Sequence, residues 1–328
     1  MAKLLGVPDA RDLLFSSGCT EAMNLVLRGL LKPGDRAVVC SMEHNAVARP
    51  LHALSLLGVD VVTVDADETG VVSADEVEAV VRAAPTLAVV CQHASNLTGA
   101  IQPVPDLADI AHASGALMLV DGAQAGGHLA VDLSTLGADA WACAGHKGLL
   151  GPQGVGLLYL APSCDPTPLV TGGTGGSSED ADAPLVRPDR YEAGTPNTPG
   201  IAGLGASARV LEIRGEEIRA EERRLAHRLH EGVLEIGGFR VLGPKLGEPR
   251  VPLVSVVHER VDADQLAFAL DRRFGIAARA GLHCAPWAHR TVGTLETGAL
   301  RFGVGWGNTE ADIDLALSAL AALVQQSS

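Results

Sequence analysis

The sequence predicts an α/β protein, with a large domain built on a mainly parallel sheet and a small α+β C-terminal domain. Three observations point there. Short apolar runs alternate with amphipathic helical stretches over residues 1–160. Most of those runs are almost continuously hydrophobic, as strands covered on both faces are. Near residue 161 the texture changes: polar, glycine-rich chain leads into one long charged helical stretch and then a second, shorter set of elements.

Taken in order, the strands are RAVVC (36–40), DVVTV (60–64), LAVVCQHA (87–94), ALMLVD (116–121), AWACAG (140–145) and GVGLLYL (154–160). Ahead of them lies TEAMNLVLRGLL, where Met23, Val26, Leu27 and Leu30 keep the i, i+3, i+4, i+7 spacing of a helix with one buried face. Strand–helix–strand order implies right-handed crossovers and hence parallel pairing. TGGTGGSSEDADAP (171–184) reads as a mobile loop. The stretch 207–236, SARVLEIRGEEIRAEERRLAHRLHEGVLEI, reads as one charged helix connecting two domains, set at residues 1–206 and 207–328. The second domain then offers VPLVSVVHE, a helix over DADQLAFALDRRF, the strand LRFGVG, and a final helix from Thr309 with Asp312 in capping-box position. There is no internal repeat.

Composition narrows the function. At 328 residues, 47% hydrophobic and 20% charged, the chain can bury one large core or two that share an interface. A formal net charge of -14 without a run of Lys or Arg argues against nucleic-acid or membrane-surface partners. No stretch of apolar residues is long enough to predict a membrane span. The start, MAKLLGVPDARD, is too short and too soon acidic for a signal peptide. The six cysteines show no CxxC spacing, so disulfide-framework and zinc readings fail, no metal is expected, and a cytoplasmic setting is.

The chemistry starts at WACAGHKGLLGPQGVGLLYL (141–160), which sets Lys147 among Trp141, Leu149, Leu150 and Val155. A lysine there is paired, exposed after all, or used as a neutral amine. A lone lysine at a strand end would ordinarily snorkel to water. Other features shift that balance. VDGAQ places Asp121 at the end of a strand, on the edge where open α/β sheets hold ligands, although a helix N-cap is as good a reading of it alone. SSGCTEAMN starts a helix with Gly18, Cys19 and Thr20, offering backbone N–H groups and a hydroxyl to an anion, as many capped helices do. EHNAV supplies His44, whose flat ring suits stacking or proton transfer if it is not simply a surface histidine. Asn96 and Gln124 offer hydrogen bonds, or turn formation. Together these residues match the needs of pyridoxal 5'-phosphate: a lysine for covalent attachment, a carboxylate for the ring nitrogen and a helix N-terminus for the phosphate.

The chain resembles class V aminotransferase-fold enzymes, specifically cysteine desulfurases of the SufS and selenocysteine-lyase type. The resemblance covers essentially the whole chain and rests on GCTEAMNLV, MEHNA, ASNLTGAIQPV, VDGAQAGGH, GHKGLLGPQGVG, YEAGTPNTPGIAGLGA, RAGLHCAP and LRFGVGWGNTEADID, in family order. It implies the aspartate-aminotransferase-like fold type I of PLP-dependent transferases. Carried over by position, Lys147 would bind the cofactor covalently, Asp121 would face its ring nitrogen, and His44 would stack on the ring, with Gln124 and Asn96 near its hydroxyl. Thr20, His146 and the backbone at Cys19 would hold the phosphate. Thr195 would reach the phosphate of a neighbouring subunit, which implies a homodimer. Arg301 would clamp the substrate carboxylate and Arg279 would steady the loop of Cys284.

Cys284, in GLHCAP, matches the family's persulfide-forming nucleophile. Its own surroundings agree in part, since a cysteine between Gly281 and Pro286 and beside His283 reads as a loop thiol. The implied reaction turns L-cysteine into L-alanine and passes sulfur to an acceptor protein, as in iron–sulfur cluster assembly. A selenocysteine lyase, another class V lyase or transaminase, and a shortened non-catalytic binding protein are the alternatives. Two departures stand out. Ala144 replaces the hydroxyl residue usual before GHK, so one phosphate contact is expected to be lost. Family members also carry several dozen residues, including a strand and an AA(S/T)-type segment, before the phosphate motif, whereas residues 1–17 alone precede it here, which reads as a misassigned start or a truncated chain.

Overall fold

The computed structural model describes residues 1–176 and 181–325. Two 3-10 turns, Lys3–Leu5 and Ala10–Asp12, lead into strand β1 (Leu13–Ser16) and helix α1 (Cys19–Leu30). Then follow β2 (Arg36–Cys40), α2 (Asn45–Ser55), β3 (Asp60–Val64), α3 (Ala74–Arg82), β4 (Ala88–Gln92), α4 (Val104–Ala113), β5 (Leu117–Asp121), β6 (Ala140–Ala144) and β7 (Gly156–Leu160). These strands form one seven-stranded sheet in the order β1-β7-β6-β5-β4-β2-β3. Pairing is parallel from β3 through β2, β4 and β5 to β6, and antiparallel at β6–β7 and β7–β1.

The apolar runs behave as their composition requires. β4, β6 and β7 are buried at every position, and helices cover the sheet on two sides with separate cores. On one side α1 buries Met23, Val26 and Leu27 against Val39, Val90 and Leu158. Each such side chain contributes roughly 1.5–3 kcal/mol on burial, so Leu27→Ala would cost about 2–5 kcal/mol.

Three sequence readings are adjusted. β1 was not foreseen. GVGLLYL is a strand, but it runs antiparallel because no crossover helix separates it from β6. The long helix α5 (Thr198–Ile236) starts nine residues before the predicted Ser207, capped by Asn197 Oδ1, which accepts the Gly200 N–H at 3.1 Å. Its apolar face joins the sheet core through Leu204, Leu211 and Ile218, then a second core through Leu225, Leu229 and Val233. In the loop expected at 171–184, residues 171–176 and 181–184 carry neither helix nor strand, and residues 177–180 lie outside the described residues.

The second core belongs to a three-stranded antiparallel sheet, order β10-β9-β8, made from β8 (Phe239–Val241), β9 (Leu253–His258) and β10 (Leu300–Gly303). It is covered by α6 (Ala263–Phe274) and α8 (Glu310–Gln325), with the short α7 (Pro286–Thr291) between. α8 opens with the expected capping box. Asp312 Oδ2 accepts the Thr309 N–H at 2.8 Å, and Thr309 Oγ1 accepts the Asp312 N–H at 3.4 Å. No helix among the described residues is long and apolar enough to cross a membrane.

Candidate active site

β1, β2, β4, β5 and β6 all point the same way, so the segments that follow them emerge at one edge of the sheet, where α/β folds gather ligands. β1 delivers Gly18, Cys19 and Thr20, and β2 delivers His44. β4 delivers Asn96, β5 ends on Asp121, and β6 is followed by His146 and Lys147. Two glycines make the convergence possible. A Cβ on Gly156 would lie 2.6 Å from the Cα of Gly18, so only glycine lets the start of β7 dock under the turn before α1. A Cβ on Gly122 would lie 2.1 Å from the Trp141 indole, which packs just beyond Asp121.

A cavity of about 370 Å³ opens at this edge and collects every predicted site residue except Thr195. Lys147 is half-buried, less enclosed than its sequence neighbours suggest, and its amine has no ion-pair partner among the described residues. Asp121 is 4% exposed. Its Oδ1 accepts the Ala123 N–H at 2.9 Å and the Cys19 thiol at 3.2 Å, while Oδ2 accepts no hydrogen bond among the described residues. His44 caps α2, its Nδ1 accepting the Ala46 N–H at 3.0 Å, so the ring proton sits on Nε2. Burial holds its pKa below the usual histidine value against the pull of Asp121; Lys147, Arg301 and Arg279 add to the lowering. Gln124 is half-buried, Thr20 and His146 are exposed, and Ala144 brings a methyl group to the wall where a hydroxyl was the family expectation.

The far wall comes from the small domain. Arg279 and Arg301 pair as a short antiparallel bridge, N to O at 3.1 and 2.8 Å. Arg301 donates to the Asn96 carbonyl at 2.8 Å, and Asn96 Nδ2 donates to the His283 carbonyl at 2.7 Å. Asn96 Oδ1 is buried without a partner. Cys284 is exposed, with φ 57°, and His283 before it has φ 51°. Both lie in the left-handed region that costs a non-glycine residue strain and persists where its surroundings impose it. Here they do. The Cys284 carbonyl accepts the Asn45 N–H at 2.8 Å, and His283 Nε2 donates to the Ala299 carbonyl at 2.9 Å. Burial, helped by Arg301, lowers the His283 pKa to about 4, so the ring is neutral. An Arg279 guanidinium nitrogen lies 3.8 Å from Cys284 Sγ.

Sequence reasoning missed several parts. Glu21 reaches back to the Ser17 N–H at 2.6 Å and stiffens the turn before α1. Behind the wall, Trp141 Nε1 donates to His93 Nδ1 at 3.4 Å, and the His93 N–H donates to the Asp121 carbonyl at 2.8 Å. Cys40, Glu43 and Cys91 bring ligand-type atoms within 4.8 Å of one another in the core, where burial raises the Glu43 carboxyl well above its usual range. Thr195 is exposed and lines a different cavity, of about 220 Å³, on the other side of Ser17 and Glu21.

The donor set fits pyridoxal phosphate. An amine without an ion pair, a carboxylate with one oxygen held and the other open, an orphaned amide oxygen and a helix N-terminus share one cavity. First-turn N–H groups have no acceptor within their helix and favour an anion.

This fold and this set of residues define a PLP-type α/β enzyme, and comparison with known proteins specifies it. The family model for aminotransferase class-V matches residues 1–316, and the chain belongs to that family. It is 36% identical over 313 residues to a probable cysteine desulfurase of Methanothermobacter thermautotrophicus, covering 93% of this chain and 77% of that protein. It is also 36% identical to a probable cysteine desulfurase of Pseudomonas aeruginosa, over 96% of this chain and 78% of that one. Among solved structures, the apo cysteine desulfurase of Thermococcus onnurineus superposes with TM-score 0.90 at 31% identity, covering 99% of this chain and 82% of that one. The S-sulfonic acid form of the Escherichia coli cysteine desulfurase CsdA gives 0.89 at 29% identity, with the same coverage.

Proposed function

We propose that the protein is a PLP-dependent cysteine desulfurase that converts L-cysteine to L-alanine and retains the sulfur as a persulfide on Cys284. The observation that carries this reading is the placement of Cys284: an exposed thiol, held in a left-handed backbone, on the wall of the cavity that also contains Lys147 and Asp121.

Bound pyridoxal phosphate supplies an electron sink that weakens bonds at the substrate's Cα and Cβ. Lys147 would anchor it and then move the proton at Cα. Asp121 would hold the ring nitrogen through Oδ2, and the neutral His44 would cover the ring. Thr20, His146 and the N–H groups at the start of α1 would take the phosphate. Gln124 and Asn96 would bond the ring hydroxyl, which gives the orphaned Asn96 Oδ1 a partner. Arg301 would clamp the substrate carboxylate with the guanidinium nitrogens it does not spend on Asn96. With sulfur loosened at Cβ, the Cys284 thiolate attacks it. The Sγ–S bond forms, the Cβ–S bond breaks, and alanine departs after Cβ gains a proton. Arg279 lies beside Sγ, a guanidinium nitrogen 3.8 Å away, on the wall where the attack takes place.

Cys284→Ser tests this. It should abolish alanine release from cysteine and leave cofactor binding intact. Alanine release from selenocysteine should survive, because selenium can depart as the element, leaving the electron pair of the Cβ–Se bond on Cβ to take a proton, with no thiol needed to accept it. Undiminished release from cysteine would replace the desulfurase by a lyase or transaminase.

A further inference from the structure

Cys284 faces more than the substrate cavity. A second groove, of about 360 Å³, lies on its other side, between α1 and α2. Thr20, His44 and Cys284 line both spaces, so the thiol stands in the partition between them. The outer groove adds Asn24 and Arg28 from α1 and Arg49 from α2.

Its charge runs against that of the molecule. In a chain of net charge -14, the groove's lining holds two arginines and no carboxylate. Arg28 donates Nε to Asn24 Oδ1 at 3.0 Å, and neither Arg28 nor Arg49 has a carboxylate within ion-pair distance among the described residues. Most arginines of α5 differ: Arg214, Arg219, Arg223, Arg224 and Arg228 each meet a glutamate or aspartate, and among the described residues only Arg209 of this helix does not. Two exposed guanidinium groups beside a reactive thiol, with donors to spare, match carboxylates geometrically as well as electrostatically. A space of this volume suits a small molecule.

We propose that the groove is the sulfur-acceptor subsite and takes a small thiol that carries carboxylate groups. This rests on the reading that Cys284 bears a persulfide. The acceptor's thiolate attacks the outer sulfur of the Cys284 persulfide. A new S–S bond forms, the bond between that sulfur and Cys284 Sγ breaks, and its electron pair stays on Sγ as thiolate. The persulfide proton travels with the transferred sulfur, and no oxidant or reductant is consumed. Arg28 and Arg49 hold the acceptor's carboxylates, and Arg279 faces the departing thiolate.

The probe pair is glutathione and its diethyl ester, which share a thiol and differ in free carboxylates. Enzyme loaded with limiting cysteine is checked for one added sulfur by intact mass and then unloaded by each thiol. Wild type should be unloaded at least tenfold faster by glutathione, with saturation and with loss of the advantage in high salt. The Arg28→Glu/Arg49→Glu double variant should load normally, react with the ester as wild type does, and lose the preference for glutathione. Equal unloading of wild type by both thiols, or a preference that survives in the double variant, overturns the proposal. If no persulfide forms, the desulfurase reading fails at the loading step, before any acceptor is added. The subsite is then judged on Cys284→Ser by calorimetry: glutathione should bind and its ester should not, and absence of glutathione binding overturns it.

Discussion

His93 gives the structure a measurable response to acid. Its ring lies behind the cavity wall at Asp121, 7% exposed, with Nδ1 accepting from Trp141. Burial lowers its pKa from 6.5 to about 4. The unfolded chain therefore binds a proton that the folded chain refuses between pH 6.5 and about 4. The stability contributed by the neutral ring is fully present above pH 6.5 and is lost as pH falls through that window. At about 1.4 kcal/mol per pH unit the whole window is worth about 3 kcal/mol, and about 2 kcal/mol has gone by pH 5. That is a large part of a typical stability of roughly 5–15 kcal/mol. His93→Gln keeps an acceptor for Trp141 and removes the titration. The assay is the urea midpoint of wild type and variant at steps from pH 7 to pH 4.5, read as the difference between them. The variant begins less stable, through imperfect packing, and the gap should close by about 2 kcal/mol by pH 5. Because only the difference is read, the opposite contribution of the buried Glu43 carboxyl cancels. A gap that stays constant with pH would refute the reasoning.

Two further outcomes follow from the site. Lys147→Ala should remain colourless after incubation with pyridoxal phosphate, whereas wild type should turn yellow; colour retained in the variant would remove Lys147 from the anchoring role. Thr195 lines a cavity other than the one that holds Lys147, and the family resemblance assigns it to a neighbouring subunit's phosphate. On that reading the protein should sediment as a homodimer, and Thr195→Ala should weaken cofactor retention without changing the sedimentation, whereas a fully active monomer would contradict this.

What the sequence revealed, and what it hid, divides along physical lines. β4, β5 and β6 were legible because strands covered on both faces must be apolar throughout, and α1 because one buried face imposes its spacing. β1 was not, since LLFS is too short to carry a pattern and becomes a strand only through pairing with β7. The reversal at β7 had a signal: the connection 145–155 has no helical stretch long enough for a crossover. The start of α5 was masked by Gly200, Gly203 and Gly205, although Asn197 with Pro199 announced a cap and first turn. Gly203 is there because a Cβ would lie 2.5 Å from Pro152. The residues of the cavity could be read from motifs, but their local states could not. The left-handed backbone at His283 and Cys284 is held by Asn45 and Ala299, and Asp121 Oδ1 is held in part by Cys19, all distant in sequence. The proton on His44 Nε2 follows instead from a local bond to the Ala46 N–H that the motif alone does not reveal.

The place of β1 in the sheet also sets an order of events during synthesis. Leu13–Ser16 hydrogen-bonds to residues 156–159, so the chain's first strand waits until the ribosome has delivered β7. Until then β2 through β6 can assemble among themselves, and the turn that leads into α1 has no floor, because Gly156 is what it rests on. Closing so long a loop is slow, and the unpaired edge of β6 stays open to other chains while it lasts. Nascent protein should thus be most prone to aggregate, and unable to hold an anion at α1, until the final strand of the sheet is in place.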